Sequence, residues 1–242
     1  ASMAGLRIVG IDCHIGSQIT QEDPYMDAMD RMLDLVEAIE AAGIPIEHID
    51  FGGGLGIDYN GDEPPRADSM WPRLLAKLDR RGFGDRMLMV EPGRSLVGNA
   101  GLCVTEVLYL KPGEQKNFCI VDAAMNDLIR PTLYEAHHDV WPVAEPQGVH
   151  DLVAQDLVGP VCETGDYLAL DRPLPAFKSD DLIAIMTAGA YGAVMSSSYN
   201  TRPLIPEVLV HGETFAVVRP RPTYDDLIGQ DRLPPWLTPA KI

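Results

Sequence analysis

The sequence predicts an α/β segment over residues 1–101, then a mostly antiparallel β domain over residues 102–242. Two observations predict it. Strand-like and helix-like runs alternate through the first hundred residues. Beyond Gly101 the runs become short and β-like, and many of the chain's 20 prolines and 22 glycines punctuate them.

Leu6 to Asp12 is a short apolar run and reads as a strand. Asp23 and Pro24 then supply an N-cap and a helix-initiating proline. Met29, Met32, Leu33, Val36 and Ile39 follow at helical spacing, and Gly43 closes the helix. Ile46 to Phe51 predicts a second strand. Trp71, Leu74, Leu75 and Leu78 mark a second helix ending at Gly82, and Met87 to Val90 a third strand. A helix in each gap between strands implies that the strands run parallel. In the second half, Cys103 to Leu110, Phe118 to Val121, Glu207 to Val210 and Thr214 to Val218 read as strands.

Composition narrows the function classes. With 46% hydrophobic and 23% charged residues the chain has an ordinary globular make-up. A net charge of −17 argues against nucleic-acid binding, which needs clustered Lys and Arg to neutralise phosphates. Cys13, Cys103, Cys119 and Cys162 form no C-x-x-C pair and suit reduced thiols in a cytosol. The absence of a long apolar run or signal peptide predicts a cytoplasmic protein without a membrane partner. The opening Ala1-Ser2-Met3, directly before a strand-like run, reads as an internal start.

The polar and glycine motifs follow the carboxyl ends of the predicted strands, where ligands bind in α/β folds. Asp50-Phe51-Gly52-Gly53-Gly54-Leu55-Gly56 lets backbone N–H groups approach an anion closely; taken alone it is equally a tight βα turn. Ile57 stands where a dinucleotide fingerprint needs its third glycine. In Glu91-Pro92-Gly93-Arg94, the carboxylate can hold a pyridinium and the guanidinium a phosphate or carboxylate; the pair also fits a structural ion pair. His14, after the first strand, is by itself a packed core histidine. The neighbouring His137 and His138 lack the spacing of a metal site, so no metal is expected. Arg130 and Tyr134, four apart on a helical turn, share a face and can clamp a carboxylate; alone they read as a solvated arginine and a packed tyrosine. In Cys162-Glu163-Thr164-Gly165-Asp166, the thiol can donate a proton and Glu163 can bind an amine, though a free cysteine is usually a small apolar residue. Gly189-Ala190-Tyr191-Gly192 reads as a turn.

Taken in order, these motifs resemble the alanine-racemase-like, fold-type III decarboxylases that use pyridoxal 5'-phosphate (PLP). The last four point to the branch acting on diaminopimelate. The resemblance covers about residues 5–220. It implies that residues 1–101 are the last three βα units of a PLP-binding TIM-like barrel, followed by a carboxy-terminal β domain. It also implies a homodimer with shared active sites and PLP as the electron sink for loss of CO2. By motif match, His14 stacks on the ring and Glu91 pairs with its nitrogen. Ser17, Gly52, Gly53, Gly54, Gly93 and Arg94 cradle the phosphate, with Tyr191 nearby. Arg94, Arg130 and Tyr134 hold the distal carboxylate of the substrate. Cys162 returns the proton to the substrate carbon, and Glu163 binds the distal amine in the partner's site. Two arginines also favour a distal carboxylate over a cationic end such as ornithine's.

In such enzymes the lysine that forms the Schiff base precedes all these motifs. Lys77, Lys111, Lys116, Lys178 and Lys241 offer no equivalent. The expectation is therefore a chain that lacks the amino-terminal barrel segment and is inactive alone. Two alternatives stand beside it: a related decarboxylase for another amino acid or a polyamine precursor, and a catalytically dead binding homologue.

Overall fold

The computed structural model describes residues 3–144 and 151–237. The chain divides into two compact units, Ala1–Leu102 with Met186–Ala190, and Cys103–Ile185 with Tyr191–Ile242.

In the first unit, β1 (Gly10–Asp12), β2 (His48–Asp50) and β3 (Met87–Met89) form a parallel sheet in that order. The register aligns Ile11 with Ile49 and Leu88, and Asp12 with Asp50 and Met89. Strand alternation therefore sends Ile11, Ile49 and Leu88 to one face. There they meet the helices α1 (Asp23–Ala41) and α2 (Ala67–Arg80). Met29, Met32, Leu33 and Val36 of α1 pack with Met70, Leu74 and Leu78 of α2 over Ile49 and Phe51.

Two details refine the sequence reading. Glu22, not Asp23, is the N-cap of α1, and it makes no side-chain capping bond. Pro24 still sets the first turn, because a proline there forfeits no intrahelical bond. In α2 the inward stripe runs Met70, Leu74, Leu78, and Leu75 is 47% exposed. Gly43 and Gly82, just past the two helices, take φ of +83° and +82°, the left-handed conformation that ends a helix at low steric cost. A short helix, α3 (Gly93–Val97), follows β3.

The second unit holds a six-stranded sheet. Its strands are β4 (Cys103–Lys111), β5 (Phe118–Val121), β6 (Val140–Pro142), β7 (Leu152–Val158), β8 (Tyr167–Pro175) and β9 (Leu182–Ile185), in the order β6-β9-β4-β5-β7-β8. All pairs are antiparallel except β5 with β7. β4 alternates cleanly, with Cys103, Thr105 and Val107 buried and Val104, Glu106 and Leu108 exposed. Between β5 and β6 lies the short helix α4 (Arg130–Tyr134). A hairpin of β10 (Glu207–His211) and β11 (Thr214–Arg219) and a capped turn of helix, α5 (Tyr224–Ile228), complete the unit. β6 to β9 went unread in the sequence, because prolines, an aspartate or the brevity of each run break their apolar pattern. No helix among the described residues is long and apolar enough to cross a membrane.

Candidate functional site

In the first unit the candidate groups gather at the carboxyl ends of the parallel strands. Asp50 ends β2, and its Oδ1 accepts from Gly52 N–H at 2.8 Å. Gly53 N–H donates to His14 Nδ1 at 3.2 Å, while its carbonyl accepts from the Tyr25 hydroxyl at 3.2 Å. His14 Nδ1 thus carries a lone pair, and the exposed ring is pinned over the glycine run. Burial pushes the Tyr25 phenol up to about 12, so it remains a donor.

Steric closeness explains two of the glycines. A Cβ on Gly53 would lie 2.3 Å from the Glu91 carbonyl oxygen. On Gly54, whose φ is +92°, it would lie 2.2 Å from that of Gly16. The run lets three strand ends approach one another.

Beyond it, Arg94 is held from two sides. It donates through NH1 to the Tyr59 hydroxyl at 2.7 Å and through NH2 to Ser17 Oγ at 2.8 Å, with its guanidinium 5.7 Å from the Tyr59 ring centre. Asp12, Asp50 and Glu91 each place a carboxylate oxygen within 4.8 Å of the others. The sequence reading singled out only Glu91 of this trio. Asp12 and Asp50 were detectable, since both sit at the strand position just before a motif.

This set can take a flat cationic ring with an anionic tail. The carboxylates suit a ring N–H⁺, the imidazole a ring face, and Ser17 with Arg94 an anion. The glycines contribute less than the sequence suggests. Gly52 and Gly53 already donate to Asp50 and His14, and Gly93 N–H donates to the Glu91 carbonyl at 2.8 Å. An anion calling on those three N–H groups would have to displace internal partners. A Cβ at Gly93 meets no atom within 4 Å, so that side of the cradle is open.

In the second unit, α4 and the cysteine loop are tied together. Thr132, between Arg130 and Tyr134, donates its hydroxyl to the Gly165 carbonyl at 2.5 Å. The loop is clamped from below by buried Asp166, whose oxygens accept from Met125 N–H at 2.7 Å and Val161 N–H at 2.6 Å. Burial holds that carboxyl above its usual range despite both bonds. Cys162 and Glu163 stand exposed at the tip. Glu163 Oε2 accepts from the Tyr199 hydroxyl at 3.3 Å, and its charge raises the Tyr199 phenol above the ordinary tyrosine value. Tyr191 sits in a turn with φ +58°.

The arginine–tyrosine pair is the reverse of the bland sequence expectation. Arg130 is 6% exposed and Tyr134 62% exposed. Arg130 NH1 lies 2.9 Å from His138 Nε2, in the interior. Asn126 and Asp127 are structural: they bond each other at 3.0 Å, and Asn126 accepts from Arg202 Nε at 2.9 Å. His137 faces Asp139 at 3.0 Å and Arg172 at 2.8 Å. Sequence reasoning quoted Asp166 without giving it a role and passed over Tyr199 and Arg202; Met125, Glu163 and Asn126, which these three bind, lie far along the chain.

None of the described lysines falls within the Asp50–Gly56 or Glu91–Arg94 motifs. Lys77 binds Asp30 at 2.6 Å, and Lys116 binds Asp156 at 2.9 Å. Lys111 ends β4, Lys178 precedes β9, and Lys241 lies outside the described residues. Cys103 and Cys119 are buried, which pushes each thiol up to about 12.

A family model described as "Pyridoxal-dependent decarboxylase, C-terminal sheet domain" matches residues 9–189. The diaminopimelate decarboxylase of Pseudomonas aeruginosa is 50% identical over 235 residues, which cover 97% of this chain and 55% of that protein. The Vibrio cholerae enzyme of the same name is 50% identical over 220 residues, covering 91% and 52%. A crystal structure of an Aquifex aeolicus protein superposes with a TM-score of 0.89 at 43% identity, covering 95% of this chain and 56% of its own. The diaminopimelate decarboxylase of Helicobacter pylori, complexed with L-lysine, gives 0.84 at 36%, covering 94% and 55%. The chain spans about half the length of these relatives.

Proposed function

The chain belongs to the pyridoxal-dependent decarboxylases, and from that premise we propose that it serves in an enzyme converting meso-diaminopimelate to L-lysine. The observation that carries this reading is the set of groups at the strand ends: a pinned imidazole, the Ser17–Arg94 pair and a carboxylate trio. Residues 1–101 act as the last three βα units of a TIM-like barrel, and residues 102–242 as its carboxy-terminal β domain. Parallel strands with helices packed on one face support this. L-lysine, the product of such a reaction, is the molecule held by the Helicobacter pylori relative.

PLP, when bound, supplies the electron sink for the departing CO2. The chain's residues do the rest. His14 covers the ring face. Glu91 keeps the ring nitrogen protonated, because an adjacent carboxylate favours the cation. Ser17, Gly54 and Arg94 bind the phosphate, with Gly52, Gly53, Gly93 and Tyr191 shaping its surroundings. Arg94, Arg130 and Tyr134 bind the distal carboxylate. Cys162 delivers a proton to the substrate carbon, and Glu163 binds the distal amine, both serving the partner in a cytoplasmic homodimer. The cofactor-anchoring lysine lies outside these 242 residues; the ion pairs of Lys77 and Lys116 support that assignment.

Two experiments test the reading. Borohydride reduction with PLP, followed by peptide mapping, should give no specific adduct on the lysines of this chain; a single adducted lysine here would overturn the assignment. Release of CO2 by the assembled enzyme should depend on a distal carboxylate, and equal turnover of ornithine would overturn the substrate.

A further inference from the structure

Arg130 and His138 make a buried pair whose chemistry allows one arrangement. A guanidinium carries five N–H donors, accepts nothing and keeps its charge. The His138 nitrogen 2.9 Å from Arg130 NH1 must therefore present a lone pair. His138 is neutral at that contact, with its proton on Nδ1. A protonated ring would set two cationic donors head to head in an interior where His138 is 1% exposed.

The backbone explains how residues eight apart meet. Glu135 ends α4 in the left-handed conformation, with φ of +52°, and Ala136 N–H donates back to the Arg130 carbonyl at 3.3 Å. This reversal returns the chain beneath the helix and delivers His138 to the Arg130 side chain. Tyr134, its fellow in the proposed clamp, is exposed. One half of the clamp is thus fixed from within and the other faces outward.

We propose that His138 is a positioning residue for substrate recognition: its Nε2 lone pair fixes the Arg130 guanidinium in the orientation that binds the distal carboxylate. This rests on the reading of Arg130 as a carboxylate ligand. The loss of one charge-assisted bond would let a long, rotatable side chain sample other rotamers, which weakens substrate binding more than turnover.

The test combines a spectroscopic and a kinetic arm on the cofactor-loaded enzyme. Long-range ¹H–¹⁵N spectra of the unaltered protein should show His138 protonated at Nδ1 and bare at Nε2; a proton on Nε2 would overturn the proposal without touching the assigned reaction. In the kinetic arm, His138→Leu should raise KM for diaminopimelate about tenfold, the size expected for a charge-assisted bond, with a smaller change in kcat. His138→Gln, which can place a carbonyl oxygen near the lost Nε2, should recover most of it. Equal defects in the two variants would sink the proposal. Arg130→Gln separates the premise: an unchanged KM there removes Arg130 from the clamp, whatever His138 shows.

Discussion

The two units build their candidate groups from different materials. At the strand ends of the first unit, main chain meets main chain. Gly53 and Gly54 exist because carbonyl oxygens of Glu91 and Gly16 occupy the space of a side chain. In the second unit, side chains reach across long sequence separations: Thr132 and Asp166 to the main chain of Gly165 and Met125, and Tyr199 to the Glu163 carboxylate. Backbone crowding leaves a sequence mark, because only glycine satisfies it. A side-chain network leaves none, because its members are ordinary polar residues whose proximity arises only from the fold.

The sharpest way to break this contrast is at Gly54. Gly54→Ala adds a Cβ 2.2 Å from the Gly16 carbonyl oxygen at a left-handed φ, and that main chain cannot step aside as a side chain would. We expect a loss on the order of 3–5 kcal/mol in the first unit, together with PLP binding, read by denaturant unfolding and cofactor absorbance. A mild effect would mean that the strand ends are looser than their packing.

Asp166→Ala probes the second unit. It strands the buried N–H of Val161 and the half-buried N–H of Met125. A loss of about 2–4 kcal/mol should follow, since each unpaired donor keeps its desolvation cost. Chemical denaturation reads this, and faster alkylation of Cys162 would report the freed loop. Arg94→Lys comes next. A single ammonium cannot serve Tyr59 and Ser17 in the same fork, so KM for PLP or substrate should rise about tenfold while folding is kept. The smallest effect belongs to Tyr199. Glu163→Gln should lower the raised Tyr199 pKa towards its ordinary value, because a negative neighbour disfavours the phenolate and removing it relieves that penalty. A Tyr-resolved NMR titration measures the shift, and no movement would deny the Tyr199–Glu163 contact.

Legibility followed the same division. The parallel strands, both long helices, the glycine run and the EPGR turn were readable, because each follows from local period or backbone conformation. The errors have physical causes. Leu75 helps to mark the second helix in the sequence, but the i, i+4, i+8 stripe of Met70, Leu74 and Leu78 takes the core and leaves Leu75 outside. Arg130 was given the solvated role in the bland reading, but the αL turn at Glu135 brought it a buried acceptor. The glycine N–H groups were assigned to a ligand, yet Asp50 and His14 hold two of them. Short strands such as Val140–Pro142 carried too little pattern to register.

The parallel pairing of β5 with β7 has a kinetic consequence. Parallel neighbours need a long crossover, and here it leads from Val121 at the end of β5 to Leu152 at the start of β7. Arg130, Tyr134 and His138 all ride on that connection. Closing a loop of this length loses chain entropy before any strand contact rewards it, which slows folding. The substrate-side residues therefore acquire their geometry only when a late, non-local event completes, whereas the strand ends of the first unit form through successive βα steps. Refolding followed by a probe on α4 should lag behind one placed near Gly54.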